Sequence, residues 1–363
     1  GRGRFRGCCR CGGRRWIVAF GVFAFGTGTC IVGGHSGLAN GYFAAEPREG
    51  RTQDEYRRAV EQMIVDMNQT GKGFGNQNLV RVLASESGDA ARWLTDMGVV
   101  WMSGRYEALG GLRPRCFCSN FARGGYDYVV AVNRRARELG VQLRFSSRVQ
   151  TVRRRGDGRF EVVFTRGARK GAVTAAAVVL ATGGFGDNPR LRKQYDKRLT
   201  EELTSSANPY REAHDTAMGD GILIGQALGA ATVDMEHILS IPYSGGRLTN
   251  YVGADIYVDT HGRRFVNEAA SMDKISEALW ALPQKEFWVI TDSQSAKGIT
   301  RDAKLIRGIV RTADTIEEAA RTMQIPVAVF AETMRKYNEA ARKGFDAQFG
   351  RTTFTQLIDK PPF

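Results

Sequence analysis

Only four histidines, His35, His214, His237 and His261, occur in 363 residues, and no two of them stand at metal-ligand spacing, so a metal centre is not expected. No apolar run reaches the roughly 18 residues that a spanning helix needs. The longest candidate, Trp16 to Thr29, is broken by Gly21, Gly26 and Gly28, and a membrane span is not expected. Six cysteines give no disulfide or metal framework. Cys8-Cys9-Arg10-Cys11 has no second Cys or His pair downstream, and Cys116-Phe117-Cys118 is too close to bridge. A heme-attaching Cys-x-x-Cys-His is absent. So is a nucleophile elbow; His35 and Ser36 are adjacent, and adjacent side chains rarely meet, which argues against a hydrolase.

What is present is a chain with 42% hydrophobic and 10% aromatic residues, enough to bury a large core in about two domains. The net charge is +14, of which Arg2, Arg4, Arg6, Arg10, Arg14 and Arg15 supply six. The rest alternates with acids along helices, as in Arg57-Arg58-Ala59-Val60-Glu61, the pattern of a solvated face. No basic stripe with interleaved aromatics appears, so nucleic acid is not an expected partner; a basic nucleic-acid-binding protein stays as a remote alternative, testable by salt-dependent retention on DNA. A positive field suits anionic substrates and a diphosphate cofactor better.

Residues 1–30, rich in Gly, Arg and Cys, stand apart in composition, and the basic Arg14-Arg15 before an apolar run has two parts of an export signal without a small-residue cleavage site. From Ile31 the pattern becomes orderly. Thr52 and Glu55 form a capping box before Val60, Met63, Ile64 and Met67, and Gly71 ends that helix. A second amphipathic helix is predicted from about Leu79 through Val82, Leu83, Trp93, Leu94 and Met97, and a third from Tyr126 to Leu139. Strands are predicted at Val141 to Phe145, Val149 to Arg153 and Phe160 to Phe164, with a turn at Gly156-Asp157-Gly158. Ala175 to Ala181 is apolar without alternation, the pattern of a strand buried on both faces of a parallel sheet. Beyond it come a helix over Ile222 to Leu228, strands at Ile256 to Val258, Arg264 to Val266 and Phe287 to Ile290, and helices near Glu268 to Trp280, Thr315 to Met323 and Val329 to Arg342. This order indicates an α/β sheet domain followed by a second unit.

Five short landmarks occur in order: Gly33-Gly34-His35-Ser36, Ala181-Thr182-Gly183-Gly184-Phe185, Gly219-Asp220-Gly221, Gly262-Arg263-Arg264-Phe265-Val266-Asn267-Glu268, and Tyr337-Asn338 with Gly344, Asp346 and Phe349-Gly350-Arg351. On these the chain resembles the FAD-binding fumarate reductase and succinate dehydrogenase flavoprotein family, nearest its soluble flavocytochrome c and urocanate reductase branch, over about residues 33–355. The resemblance implies an α/β fold: a Rossmann-like FAD-binding domain of glutathione reductase type at 31–238, an α+β capping domain at 239–355, and at 356–363 the start of a return to the first domain. It implies FAD as cofactor. Gly33, Gly34, His35, Ser36, Ala39, Asn40 and Gly41 would lie along the flavin and pyrophosphate, Val149 would touch the adenine, Ala181, Thr182, Gly183 and Gly184 would line the dinucleotide, and Asp220 would sit near its ribityl or phosphate end. Glycines belong where backbone approaches phosphate or ring.

The family's reaction implies hydride transfer between flavin and a small, anionic or enone-like substrate, with an electron donor or acceptor that the sequence does not name. Its proton donor is an arginine shortly after the Arg-Phe-Val-Asn-Glu motif; the matching residue here is Met272, which has no proton to give. The family's carboxylate-binding patterns are replaced by Ser240-Ile241-Pro242-Tyr243 and Arg247-Leu248-Thr249-Asn250-Tyr251, so fumarate itself is not expected. Tyr243, Arg247, Asn250 and Tyr251 are the candidate substrate-facing groups, Arg247 because its planar fork suits a carboxylate. The family's opening Gly-x-Gly-x-x-Gly turn is missing, for Gly26-Thr27-Gly28 leads to Ile31 and no acid precedes Glu46. Its closing Gly-Glu and Asn-Arg segments are missing too. The expectation is a fragment of a flavoprotein whose opening was lost to a shifted frame or wrong start, with a non-catalytic fragment as the alternative function. For placement, the cytoplasm is preferred over the bacterial periplasm.

Overall fold

The computed structural model describes residues 43–105, 113–119, 125–205, 217–243, 247–249, 252–295, 297 and 301–363. In the first unit, helix α1 (Gln53–Thr70) starts as predicted. Thr52 Oγ1 accepts from the Glu55 amide and Glu55 Oε2 accepts from the Thr52 amide at 2.7 Å, satisfying two of the helix's orphan donors. Its inner face carries Tyr56, Met63 and Asp66. Buried Arg115 donates to both Asp66 and Glu46, tying α1 to the ribbon of β1 (Phe43–Ala44) and β2 (Cys116–Phe117). Burial pushes the Asp66 carboxyl up, but hydrogen bonds from Arg115 and Gln62 outweigh it and hold the group below the usual range. Its stabilisation is therefore present above about pH 4, the unfolded aspartate value, and is lost as pH falls through the folded value. Asp66→Asn is expected to flatten the acid limb of a plot of urea midpoint against pH.

Helix α2 (Gln77–Asp96) is capped by Asn76, whose side chain accepts from the Asn78 and Leu79 amides. Its inward face is not the one that apolar size suggests. Leu79, Val82, Leu83 and Trp93 are each at least 50% exposed, while Val80, Ala84, Ser87, Gly88, Ala91 and Leu94 turn inward. The cause is the backbone of Glu46 and Pro47, which crosses so closely that a Cβ at Gly88 would overlap the Glu46 carbonyl. Small residues let the chains approach, and large ones are turned out. Gly88→Ala is expected to destabilise by about 1–3 kcal/mol, read as a lower urea midpoint, despite alanine's better helix propensity.

Helix α3 (Tyr126–Glu138) follows, then an antiparallel meander of β3 (Arg148–Arg154), β4 (Phe160–Arg166) and β5 (Arg169–Ala175). Val152 and Val162 bury one face against Ile224. Two strand predictions fail here. Val141 to Phe145 joins no strand ladder among the described residues, and the run expected as a buried parallel strand gives Ala175 to β5 and continues without ladder bonds, Val179 and Leu180 being 72% and 43% exposed. The described residues place no ladder beside Val178 to Ala181, and all their strand pairings are antiparallel. Helices α4 (Pro189–Tyr195), which was not predicted, and α5 (Asp220–Ala227) complete the unit.

The second unit pairs fully buried β6 (Ile256–Val258) with β7 (Trp288–Ile290) and covers them with α8 (Ile316–Met323) and α9 (Val327–Lys343). Ile256, Val258, Ile290, Phe330, Met334, Tyr337 and Ile358 share one core. Helices α6 (Met272–Ala281) and α7 (Arg301–Ile306) flank it. The predicted strand at Arg264 to Val266 shrinks to one bridge, Val258 to Arg264, and α6 begins at Met272 rather than Glu268, because Arg264 and Glu268 are drawn into the interior. Residues 356–363, expected to begin a return to the first domain, are stitched to this core. Ile358 is 1% exposed and its amide donates to Asn338, while Phe363 exchanges backbone bonds with Ala313. The units meet through Lys72 and Asp273, 2.9 Å apart, and through Arg198 over the Trp280 ring. Among the described residues, no helix is long and apolar enough to cross a membrane.

Candidate functional site

Thr182, Gly183 and Gly184, 35 residues or more from Asp220 in sequence, are laced to the start of α5. The Gly221 amide donates to Thr182 Oγ1 at 3.0 Å and the Gly219 amide to the Gly184 carbonyl at 3.0 Å. Asn188, which caps α4 by accepting from the Leu191 amide, also donates to the Met218 carbonyl at 2.9 Å. Gly219 holds the helix start at φ +82°, a conformation side-chain-bearing residues resist, and a Cβ on Gly221 would overlap Thr182. Asp220 lies in the first turn and receives a two-pronged bond from Arg148, Nε to Oδ2 at 3.0 Å and Nη2 to Oδ1 at 3.1 Å. Arg148, Val149, Asp220 and Ile224 line one cleft of about 410 Å³.

The structure thus gathers Val149, Thr182, Gly183, Gly184 and Asp220 around one helix terminus, whose Gly219 and Gly221 amides are given to the turn and whose Asp220 carboxylate is given to Arg148. Gly183, at φ +72°, and Gly184 have no described residue within 4 Å of where a Cβ would stand. That is the shape a dinucleotide needs, and these residues fit it. Arg148 had not been singled out by sequence; nothing local to it signals a partner 72 residues away. Gly33, Gly34, His35, Ser36, Ala39, Asn40, Gly41, Asn250 and Tyr251 lie outside the described residues.

The capping-unit candidates are differently placed. Arg247 does not offer its fork to a ligand: both Nε and Nη2 engage Asp255, at 3.1 and 2.8 Å, and the acid's side chain is fully buried. Thr249 donates to the same carboxylate. Tyr243 touches Tyr257 through a hydroxyl contact of 2.6 Å and packs edge-on to Phe287; burial pushes its phenol up to about 12, so it keeps its proton at neutral pH. Met272 opens α6 between Ser271 and Asp273, whose side chains bond each other. Asp234, Glu236 and His237 bring potential ligand atoms within 4.8 Å of one another, but all three are exposed and nothing else there points to an ion.

The late landmarks form a charge network, not a ligand site. Glu268 accepts from Arg264 at 2.7 Å and, on its other oxygen, from Arg264 and Arg351 at 2.7 Å. Arg264 also reaches Asp346 at 2.8 Å, and Arg351 donates to the Asp255 carbonyl, the Thr353 carbonyl and the Tyr337 hydroxyl. Arg351 and Glu268 are both 0% exposed. The guanidiniums stack over Tyr337, Phe349 and Phe354.

A glycine turn bonded to a helix start, beside a meander and followed by a separately cored unit, agrees with an FAD-binding α/β domain bearing an α+β capping unit. The chain belongs to the FAD binding domain family, whose model matches residues 28–362. It is similar to a probable fumarate reductase of Shewanella frigidimarina, 28% identical, the match covering 91% of this chain and 57% of the relative. It also resembles a urocanate reductase of Eggerthella lenta, 27% identical, covering 92% of this chain and 57% of the relative. The solved open conformation of a flavocytochrome c3 fumarate reductase superposes with a TM-score of 0.62 at 26% identity, covering 91% of this chain and 59% of that one. The chain thus spans a little over half the length of these relatives, and its cofactor is FAD.

Proposed function

We propose that the chain serves as the flavin-and-cap portion of an FAD-dependent oxidoreductase that reduces or forms a carbon–carbon double bond beside a carboxylate or carbonyl of a small substrate. The carrying observation is the Thr182 to Gly184 turn locked to Gly219 and Gly221, with no described residue before either turn glycine. Relatives named for fumarate and urocanate reduction support the substrate class. When bound, FAD supplies the hydride acceptor or donor.

The chain's own residues then divide the remaining work. The turn glycines admit the dinucleotide close to the backbone, and Val149 offers an apolar wall beside Asp220. Met272 cannot supply the proton that a reductase places on the second carbon. Tyr243 remains a group on the capping unit with a proton to give, backed by Tyr257 and the Asp255–Arg247 pair. Arg247 acts through Asp255 as a positioning residue in this account.

Two measurements test the proposal. Gly184→Val should weaken FAD binding by about tenfold or more, read by fluorescence titration, because its side chain fills the space before the turn. Reduced, FAD-loaded protein mixed anaerobically with fumarate, acrylate or urocanate should regain oxidised-flavin absorbance with at least one of them. Reoxidation by none of these or by enone analogues would contradict the activity while leaving flavin binding intact.

A further inference from the structure

The helical faces of this chain alternate charge, and the β3–β5 meander does not. Arg144 to Lys170 hold nine arginines and lysines against two acids, Asp157 and Glu161, so half of the net charge of +14 sits in 27 residues. Arg148 is given to Asp220, and Arg155 lies 3.5 Å from Asp157. Arg153, Arg154, Arg166, Arg169 and Lys170 are exposed, with no acid within 4.0 Å of their charged groups among the described residues. Arg166 stands directly opposite Arg169 across the β4–β5 turn, and Lys170 follows, opposite Thr165. Like charges facing across a ladder destabilise it, a cost that an acidic partner would remove. Arg148 also pairs with Thr165, so these cations crowd the end of the sheet that meets Asp220 and the cleft beside it. From Ser146 to Val178 no large apolar side chain is exposed. The surface therefore offers charge without a ring for stacked bases or an anchor for lipid. A small face of this kind suits the brief, electrostatically steered encounters of electron-transfer proteins.

We propose that the β4–β5 end of the meander docks an acidic electron-carrier protein that supplies the flavin in the reductive direction. This rests on the flavin reading above, since a flavin that has given up a hydride must be reduced before it acts again. Two one-electron carriers are oxidised for each flavin fully reduced, with protons drawn from water.

Plant-type ferredoxin, an acidic one-electron carrier, is the probe, titrated by calorimetry into the 363-residue chain without cofactor. Raising salt from about 0.02 M to about 0.2 M should weaken binding about tenfold or more. Arg169→Glu with Lys170→Glu should weaken it about tenfold or more at low salt. Arg57→Glu with Arg58→Glu, the same charge change on a helical face, should move it less than about threefold. Because Arg169→Glu sets an acid opposite Arg166, the thermal midpoint of the meander variant should hold or rise, which separates lost docking from lost folding. Reduced ferredoxin should bleach the flavin absorbance of the FAD-loaded chain, more slowly in the meander variant. Gly184→Val should leave ferredoxin binding unchanged, so docking without flavin uptake would fail the flavin reading alone. No ferredoxin binding, equal weakening by the two charge changes, or meander-dependent binding of duplex DNA or anionic vesicles in its place would overturn the proposal.

Discussion

Glu268→Leu should cost the capping unit about 3–5 kcal/mol, a large fraction of the stability of any domain. The carboxylate's two oxygens receive Arg264 and Arg351, and the variant leaves two interior guanidiniums with Asp346 as their remaining acid. Arg351 cannot relieve the charge by moving to water, being 0% exposed and held by two carbonyls and the Tyr337 hydroxyl. Urea unfolding followed by the fluorescence of Trp288, which packs against the capping core, should show the loss as a lower midpoint. The double variant Glu268→Leu with Arg351→Met should recover part of it, because replacing a buried pair with apolar groups is far cheaper than breaking one. An additive double variant would mean that the two residues are not coupled.

Asp292→Ala should come second, at about 3–5 kcal/mol, because it strips partners from several donors at once. Its carboxylate accepts at 2.9–3.1 Å from the Gln294, Asp359 and Lys360 amides and the Gln294 and Gln356 side chains. Three of these donors belong to residues 356–360, so the substitution should release the chain's last residues before it unfolds the core. Hydrogen exchange at the Asp359 and Lys360 amides should rise well before global unfolding, with protection on α9 largely retained. Asp292→Asn should show a smaller effect, since its amide keeps one acceptor oxygen.

How far the sequence could be read depended on how local each signal is. The α1 capping box and the Gly156 to Gly158 turn are set by residues within four positions, and both appear where predicted. The inward face of α2 was read rightly at Leu94 and Met97 and wrongly at Leu79, Val82, Leu83 and Trp93, because the determinant there is a backbone crossing 41 positions away, at Glu46 and Ser87, and not side-chain size. The Ala175 to Ala181 run showed lack of alternation, which says a segment is apolar but not what covers it. Arg264, Glu268, Asp346 and Arg351 were legible as landmarks and illegible as a network, since Glu268 and Arg351 are 83 residues apart. Arg247 looked like a carboxylate receptor because its fork suits one; the carboxylate proved to be Asp255 of its own chain. At the glycine turn, Thr182 to Gly184 and Asp220 were picked out one by one, and the structure supplied what sequence lacked, the bonds that hold the turn to the start of α5.

The central claim is that this turn forms part of a working FAD site. The most direct test is to mix the purified 363-residue chain with excess FAD, remove free cofactor by gel filtration, and measure flavin absorbance in the protein peak. The account predicts co-elution approaching one FAD per chain, reduced in Gly184→Val. A folded, monomeric protein peak carrying no flavin would contradict it.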